Sequence, residues 1–139
     1  MSLNPHMSIA SWNLALNAAI DTPCNGGFLD IYDSTGTGQP ATPDVAVTTQ
    51  VKLASLPLSA TAFGAAAAGV KTANAITSGT GLAAGTATWA RFYKSDHATA
   101  VHDCSVGTSG CDINLNDAAI TIGGTVSVTA YTVSMPVAQ

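Results

Sequence analysis

Thr125-Val126-Ser127-Val128-Thr129-Ala130-Tyr131-Thr132-Val133-Ser134-Met135 is the stretch that decides the fold class. Val126, Val128, Ala130 and Thr132 alternate with Ser127, Thr129, Tyr131 and Val133, so the two sets point to opposite faces of an extended chain. Gly123-Gly124 stands ahead of the run as a turn. Upstream, Thr86 to Tyr93 alternates in the same way, with Ala87, Trp89, Arg91 and Tyr93 against Thr88, Ala90 and Phe92. The Ser95-Asp96-His97 turn then predicts a hairpin into Ala100 to Val106, followed by short strands over Asp112 to Leu115 and Ile120 to Ile122.

Phe28-Leu29-Asp30-Ile31-Tyr32 places Phe28, Asp30 and Tyr32 on one face and Leu29 and Ile31 on the other. Val45 to Leu58 reads as a strand ending near Pro57, which has no N–H to give to a ladder. Ala60 to Ala68 is rich in Ala but shows no apolar stripe, so residues 59–85 are expected as loop with a short strand around Val70 to Ile76. Many short strands separated by Gly and Asx turns predict a mainly β fold, an antiparallel β-sandwich or jelly-roll-like barrel. One N-terminal α-helix joins it over residues 8–21, where Ile9, Trp12, Leu16 and Ala19 or Ile20 recur at intervals of three and four. Ser8 is its expected N-cap, and Pro23 is expected to end it at Asp21. Such a short helix must dock on the sheet or on a neighbouring subunit.

The 139 residues provide for a single β-rich domain over 7–139, and Met1 to His6, ahead of a second Met, look like expression-vector residues. Apolar residues reach 47% and charged residues only 9%, with no Glu and four cations: Lys52, Lys71, Arg91 and Lys94. So little charge does not hold copies apart, which points to a surface that meets partners, including a homo-oligomer. A net charge of −4 with scattered cations argues against a nucleic-acid backbone as partner. No apolar run approaches a membrane span, and no charged-then-apolar leader is visible.

Candidate chemistry is sparse. Cys104 and Cys111 flank Ser-Val-Gly-Thr-Ser-Gly; a turn centred on Gly107-Thr108 would oppose them and permit a disulfide, the alternative being two free thiols. Cys24 reads as a small buried residue. Asp96-His97 and His102-Asp103 put two imidazoles and two carboxylates on one hairpin, either a solvated turn or a transition-metal pair through His97 and His102. Asp112, Asn114, Asn116 and Asp117 lack the spacing of a calcium loop and read as turn formers. No nucleophile elbow or phosphate loop is present. The chain is therefore expected to be no enzyme, with no metal and no cofactor.

Leu29-Asp30-Ile31-Tyr32-Asp33 leading to Gln39-Pro40-Ala41, then Gly85-Thr86-Ala87-Thr88-Trp89-Ala90-Arg91, then Gly107-Thr108-Ser109-Gly110 with Asp112-Ile113-Asn114-Leu115-Asn116, together resemble small virion structural proteins of tailed bacteriophages and prophages. The likeness runs over most of residues 8–135. It departs in a longer loop after Asp33, in His97 where a turn Gly is typical, and in Cys104 and Cys111. The resemblance implies a head decoration, neck or tail-associated component in the virion, with other virion proteins as partners, and brings no catalytic residues. Aromatic and apolar residues expected at contacts are Trp12 and Leu16 on the helix and Trp89, Phe92 and Tyr131 on strands, although for any single one a plain core role is the commoner. The alternative function is a carbohydrate- or ligand-binding β-sandwich with Trp89 or Tyr93 as a sugar platform.

Overall fold

The structure, a computed structural model, describes residues 7–134. The expected vector residues 1–6, and Met135 of the last predicted strand, lie outside the described residues. Helix α1 (Ile9–Leu16) runs into a π-helical turn (Asn17–Asp21) and a short α2 (Thr22–Cys24). Strands follow as β1 (Phe28–Asp33), β2 (Val51–Pro57), β3 (Val70–Thr72), β4 (Gly79–Thr80), β5 (Gly85–Thr86) and β6 (Trp89–Tyr93). Then come β7 (Ala100–Gly107), β8 (Ile113–Leu115), β9 (Ala119–Ile120), β10 (Thr125–Val126) and β11 (Val128–Ser134). Seven strands form one sheet in the order β2-β1-β6-β7-β8-β11-β3, and β10-β4 and β5-β9 form two small ribbons. The fold is thus mainly β and sandwich-like with one N-terminal helical segment, and its main sheet does not close into a barrel.

One apolar cluster lies on the inner face of the sheet. Leu29, Ile31, Leu56, Ala90, Phe92, Cys104, Val106, Ile113, Leu115 and Tyr131 contribute from the strands. Phe63, Ala87, Ile120 and Val126 from the ribbons and connecting segments pack onto it. A bulge opposite Ile31/Tyr32 lets both Leu53 and Ala54 turn inward from β2. Both outer strands accept a bond from outside the sheet: Leu82 N–H donates to Leu53 O (2.7 Å) beside β2, and Gly64 N–H to Thr72 O (3.0 Å) beside β3. Each edge strand is thus engaged, at one point or more, by a neighbouring segment.

Several expectations need correction. The sheet is not purely antiparallel, because Val106 and Gly107 pair in parallel with Ile113 and Asn114. Asp112 holds that short crossover, accepting from the Ser105 N–H and hydroxyl (both 2.9 Å). The run 125–134 is two strands broken at Ser127, one on β4 and one between β8 and β3. An irregularity between Val128 and Ala130 then turns Tyr131 inward while Ala130 and Thr132 face solvent. Residues 45–50 form a strap rather than strand.

The helix differs most. Ser8 caps it as expected, accepting from Ser11 N–H at 3.1 Å, but the helical path continues through Thr22 and Pro23. A widened π turn immediately ahead relieves the contact that the proline ring makes with a normal α turn, and Pro23 needs no carbonyl partner. The docked face carries Trp12, Leu16 and Ile20 of the predicted apolar stripe, and beside them a polar row that the stripe did not include. Asn13 accepts from Gly69 N–H (2.9 Å), Asn17 from Ala66 N–H (3.3 Å), and Asp21 from the Lys71 ammonium (3.2 Å). Donors left by the loop before β3 need these acceptors, since an unpaired buried N–H is costly. Leu16 is buried, but Ile9 and Leu14 stand exposed. Gly27 then admits the chain to β1 where a side chain would meet Tyr93 O at 2.1 Å.

Candidate functional site

Alternation along β1, β6 and β7 sends Asp30, Arg91 and Asp103 to the outer face of the sheet. Register then lines up Ser55, Asp30, Arg91 and Asp103 across four strands in one row. Tyr32 and Trp89 flank that row, stacked with ring centroids 4.4 Å apart. The strap over 42–47 and the turn over 94–99 cover it, so Asp30 and Arg91 are buried although they lie outside the apolar core.

Arg91 binds Asp103 through both arms of its guanidinium, Nε to Oδ1 at 2.6 Å and Nη2 to Oδ2 at 2.9 Å. Its remaining donors reach Val45 O (2.7 Å) and Thr42 O (3.2 Å), which fastens the strap to the sheet. The Asp103 carboxylate raises the Arg91 pKa further. Asp30 accepts from Ser55 Oγ (2.5 Å) and Lys52 Nζ (2.7 Å) and contacts His97 Nε2 at 2.9 Å. His97 reaches it from a left-handed turn conformation (φ 53°) and stacks on Phe28 with centroids 4.0 Å apart. Those contacts hold a backbone state that a non-glycine residue seldom adopts. Beside this cluster a cleft of about 440 Å³ is lined in part by Asp44, Arg91, Tyr93, His97 and Thr99.

A serine, a histidine and an aspartate thus meet, but their connection does not activate the serine. In a nucleophilic triad the imidazole stands between serine and carboxylate, one ring nitrogen to each. Here Ser55 donates directly to Asp30, and the same nitrogen of His97 faces that carboxylate. Ser55 Oγ to His97 Nε2 is 3.5 Å. The cluster therefore works as a set of mutually satisfied charges under the strap.

The other predicted site residues separate. His102 turns to the inner face, 2.6 Å from the Tyr131 hydroxyl, so it does not converge with His97. Asp96 closes its own turn by accepting from Ala98 N–H and Thr99 N–H, and the Thr99 hydroxyl above all holds its pKa down at about 2. No group of three or more His, Cys, Asp or Glu side chains converges as for a metal ion among the described residues. Trp89, Phe92, Tyr131 and Leu16 are buried within the chain, and Trp12 is half-buried. The proposed contact set therefore belongs mostly to the core, and Trp89, lying under Tyr32, offers no sugar platform. Tyr93 does line the cleft.

Cys104 and Cys111 do not face each other, and Cys24, Cys104 and Cys111 are all free thiols. The expected hairpin is absent because β7 and β8 run parallel. Cys104 points inward to the Tyr131 hydroxyl (3.3 Å), whereas Cys111 lies by Gly107, where a side chain would meet its sulfur at 2.7 Å. Three residues apart on one strand, positions 104 and 107 face opposite sides. Burial pushes the Cys24 and Cys104 thiols up to about 12, so both are expected to resist a thiol reagent in the native protein. Half-buried Cys111 is expected to react first, and all three on denaturation without reductant; fewer than three then would restore the disulfide.

Sequence reasoning missed the row Ser55-Asp30-Arg91-Asp103, although Arg91 and Asp103 stand equidistant from His97 in the predicted hairpin turn. That symmetry was the available signal. No family model, curated protein or solved structure matches this chain.

Proposed function

We propose that this chain is a structural component of a tailed-phage or prophage particle, acting by packing against copies of itself and other particle proteins. The single observation that carries the reading is where the charge goes. Lys71 and Arg91 are buried in ion pairs with Asp21 and Asp103, and the half-exposed Lys52 pairs with the buried Asp30. Asp33, Asp96, Asp112 and Asp117 bond to backbone N–H groups of turns and strand ends. The surface of this weakly charged chain carries exposed apolar side chains, among them Leu14 at 71%, Ile122 at 75% and Leu82 at 58%. Leu82 and Ile122 sit on loops laced together through Gly81 and residues 123–124. Exposed apolar side chains of this kind suit contact through side-chain surfaces. The family resemblance supports the particle as the setting.

Sedimentation or light scattering of the full chain over a concentration series tests this. Reversible self-association is expected, weakened about tenfold or more by Leu82→Ser with Ile122→Ser. Folding stability should change by no more than about 0.5 kcal/mol per surface substitution. A monodisperse monomer with no affinity for phage particles would count against the proposal, and glycan binding in the Tyr93 cleft would replace it with the ligand-binding alternative.

A further inference from the structure

The contact between the helical segment and β3 contains a reactive arrangement. Lys71 is wholly buried, and its amine lies 2.7 Å from Asn17 Oδ1 and 3.2 Å from Asp21 Oδ2. Asn17 Oδ1 also accepts from Ala66 N–H at 3.3 Å. The second Asp21 oxygen is buried with no hydrogen-bond partner. An amine, a carboxamide, a backbone donor on the carboxamide oxygen and a carboxylate with one oxygen unengaged thus meet around the buried end of Lys71.

We propose that Lys71 and Asn17 form an intramolecular isopeptide bond, with Asp21 moving the protons. Asp21 takes a proton from the Lys71 ammonium, and the freed amine attacks Asn17 Cγ, the atom bonded to the oxygen it already contacts. A rotation of the terminal lysine torsion brings nitrogen from oxygen to carbon. Ala66 N–H stabilises the negative charge that builds on Oδ1, as an oxyanion-hole donor does. Asp21 then passes its proton to the departing side-chain nitrogen and takes the second proton from the attacking nitrogen, which ends on the expelled ammonia. The tetrahedral intermediate collapses with cleavage of the C–N bond to the side-chain amide nitrogen, and ammonia leaves. Lysine ammonium plus carboxamide give secondary amide plus ammonium once the expelled ammonia is protonated, so no oxidant, reductant or cofactor enters. Burial of the Lys71 end limits hydrolysis of the intermediate, and fixed geometry replaces a bimolecular encounter. The product ties the N-terminal helical segment to the sheet by a covalent bond, whichever partner the surface meets.

Peptide mapping of the purified full chain decides it. Trypsin cannot cleave after an acylated lysine. The expected product therefore joins the peptide containing Asn17 to the one containing Lys71, uncleaved at 71 and lighter than the two by one ammonia. Asp21→Asn should abolish the link while the protein stays folded by circular dichroism, and Asn17→Asp should restore it with loss of water instead of ammonia. Recovery of the free peptide 53–71 in full yield from folded wild-type protein overturns the proposal.

Discussion

Arg91→Ala is expected to lower the stability of the domain by about 4 kcal/mol in urea unfolding, because removing one partner strands a buried charge. The guanidinium is 2% exposed and the Asp103 carboxylate 7%. Truncation leaves that carboxylate without its two-armed partner and frees the Val45 and Thr42 carbonyls together. Trp89 also loses a cation placed 5.6 Å from its ring centroid. Arg91→Lys keeps the charge but not the planar fork, so it should fall between the variant and wild type. Arg91→Met combined with Asp103→Leu should recover most of the loss, since an apolar pair of similar volume removes the desolvation cost. Faster proteolysis within residues 42–47 should accompany the single variant, because Arg91 is the strap's anchor. A loss below about 1 kcal/mol, the level of an exposed ion pair, would show that water reaches the pair.

How far this site could be read from sequence follows from the range of each signal. Alternation over Phe28 to Tyr32 and Trp89 to Tyr93 correctly set Asp30 and Arg91 among aromatics on one face. It could not say that the face would be roofed, since the strap over 42–47 is held by two carbonyls that any residues could supply. Ionic partners in neighbouring strands depend on register, which the turn at His97 fixed and which bulges then shifted by a residue at Phe92/Tyr93. The helix was legible only in part for a related reason. Its apolar stripe and its Asn13-Asn17-Asp21 row both recur at helical spacing. The stripe docks through Trp12, Leu16 and Ile20, whereas docking of the polar row rested on unpaired donors some fifty residues away, at Ala66, Gly69 and Lys71. Parallel pairing of β7 with β8 was hidden because its short crossover carries the same Gly and Ser residues as a hairpin turn.

Acid should destabilise the domain in a window set by His102, before the carboxylates contribute. His102 stacks on Phe92 (4.4 Å) with Nε2 on the Tyr131 hydroxyl, while its buried Nδ1 has no partner. An imidazolium needs an acceptor at both nitrogens, and the inner face supplies none for Nδ1. Burial, opposed by Asp103 and Asp112, lowers the His102 pKa from 6.5 to about 4. Above pH 6.5 neither state binds the proton, and the native fold has its full stability. Between 6.5 and 4 the unfolded chain binds a proton that the native state refuses, so stability falls as pH falls. The loss approaches about 3 kcal/mol near the lower limit, at about 1.4 kcal/mol per pH unit. Asp33 and Asp96, whose pKa values lie below the ordinary 3.8, add their loss only at lower pH. His102→Phe keeps the stack and removes the titration; it should be less stable than wild type at pH 8 yet lose much less between pH 6.5 and 4. Equal slopes for the two proteins across that window would mean that His102 is protonated in the native fold, and that the inner face admits water beside Tyr131.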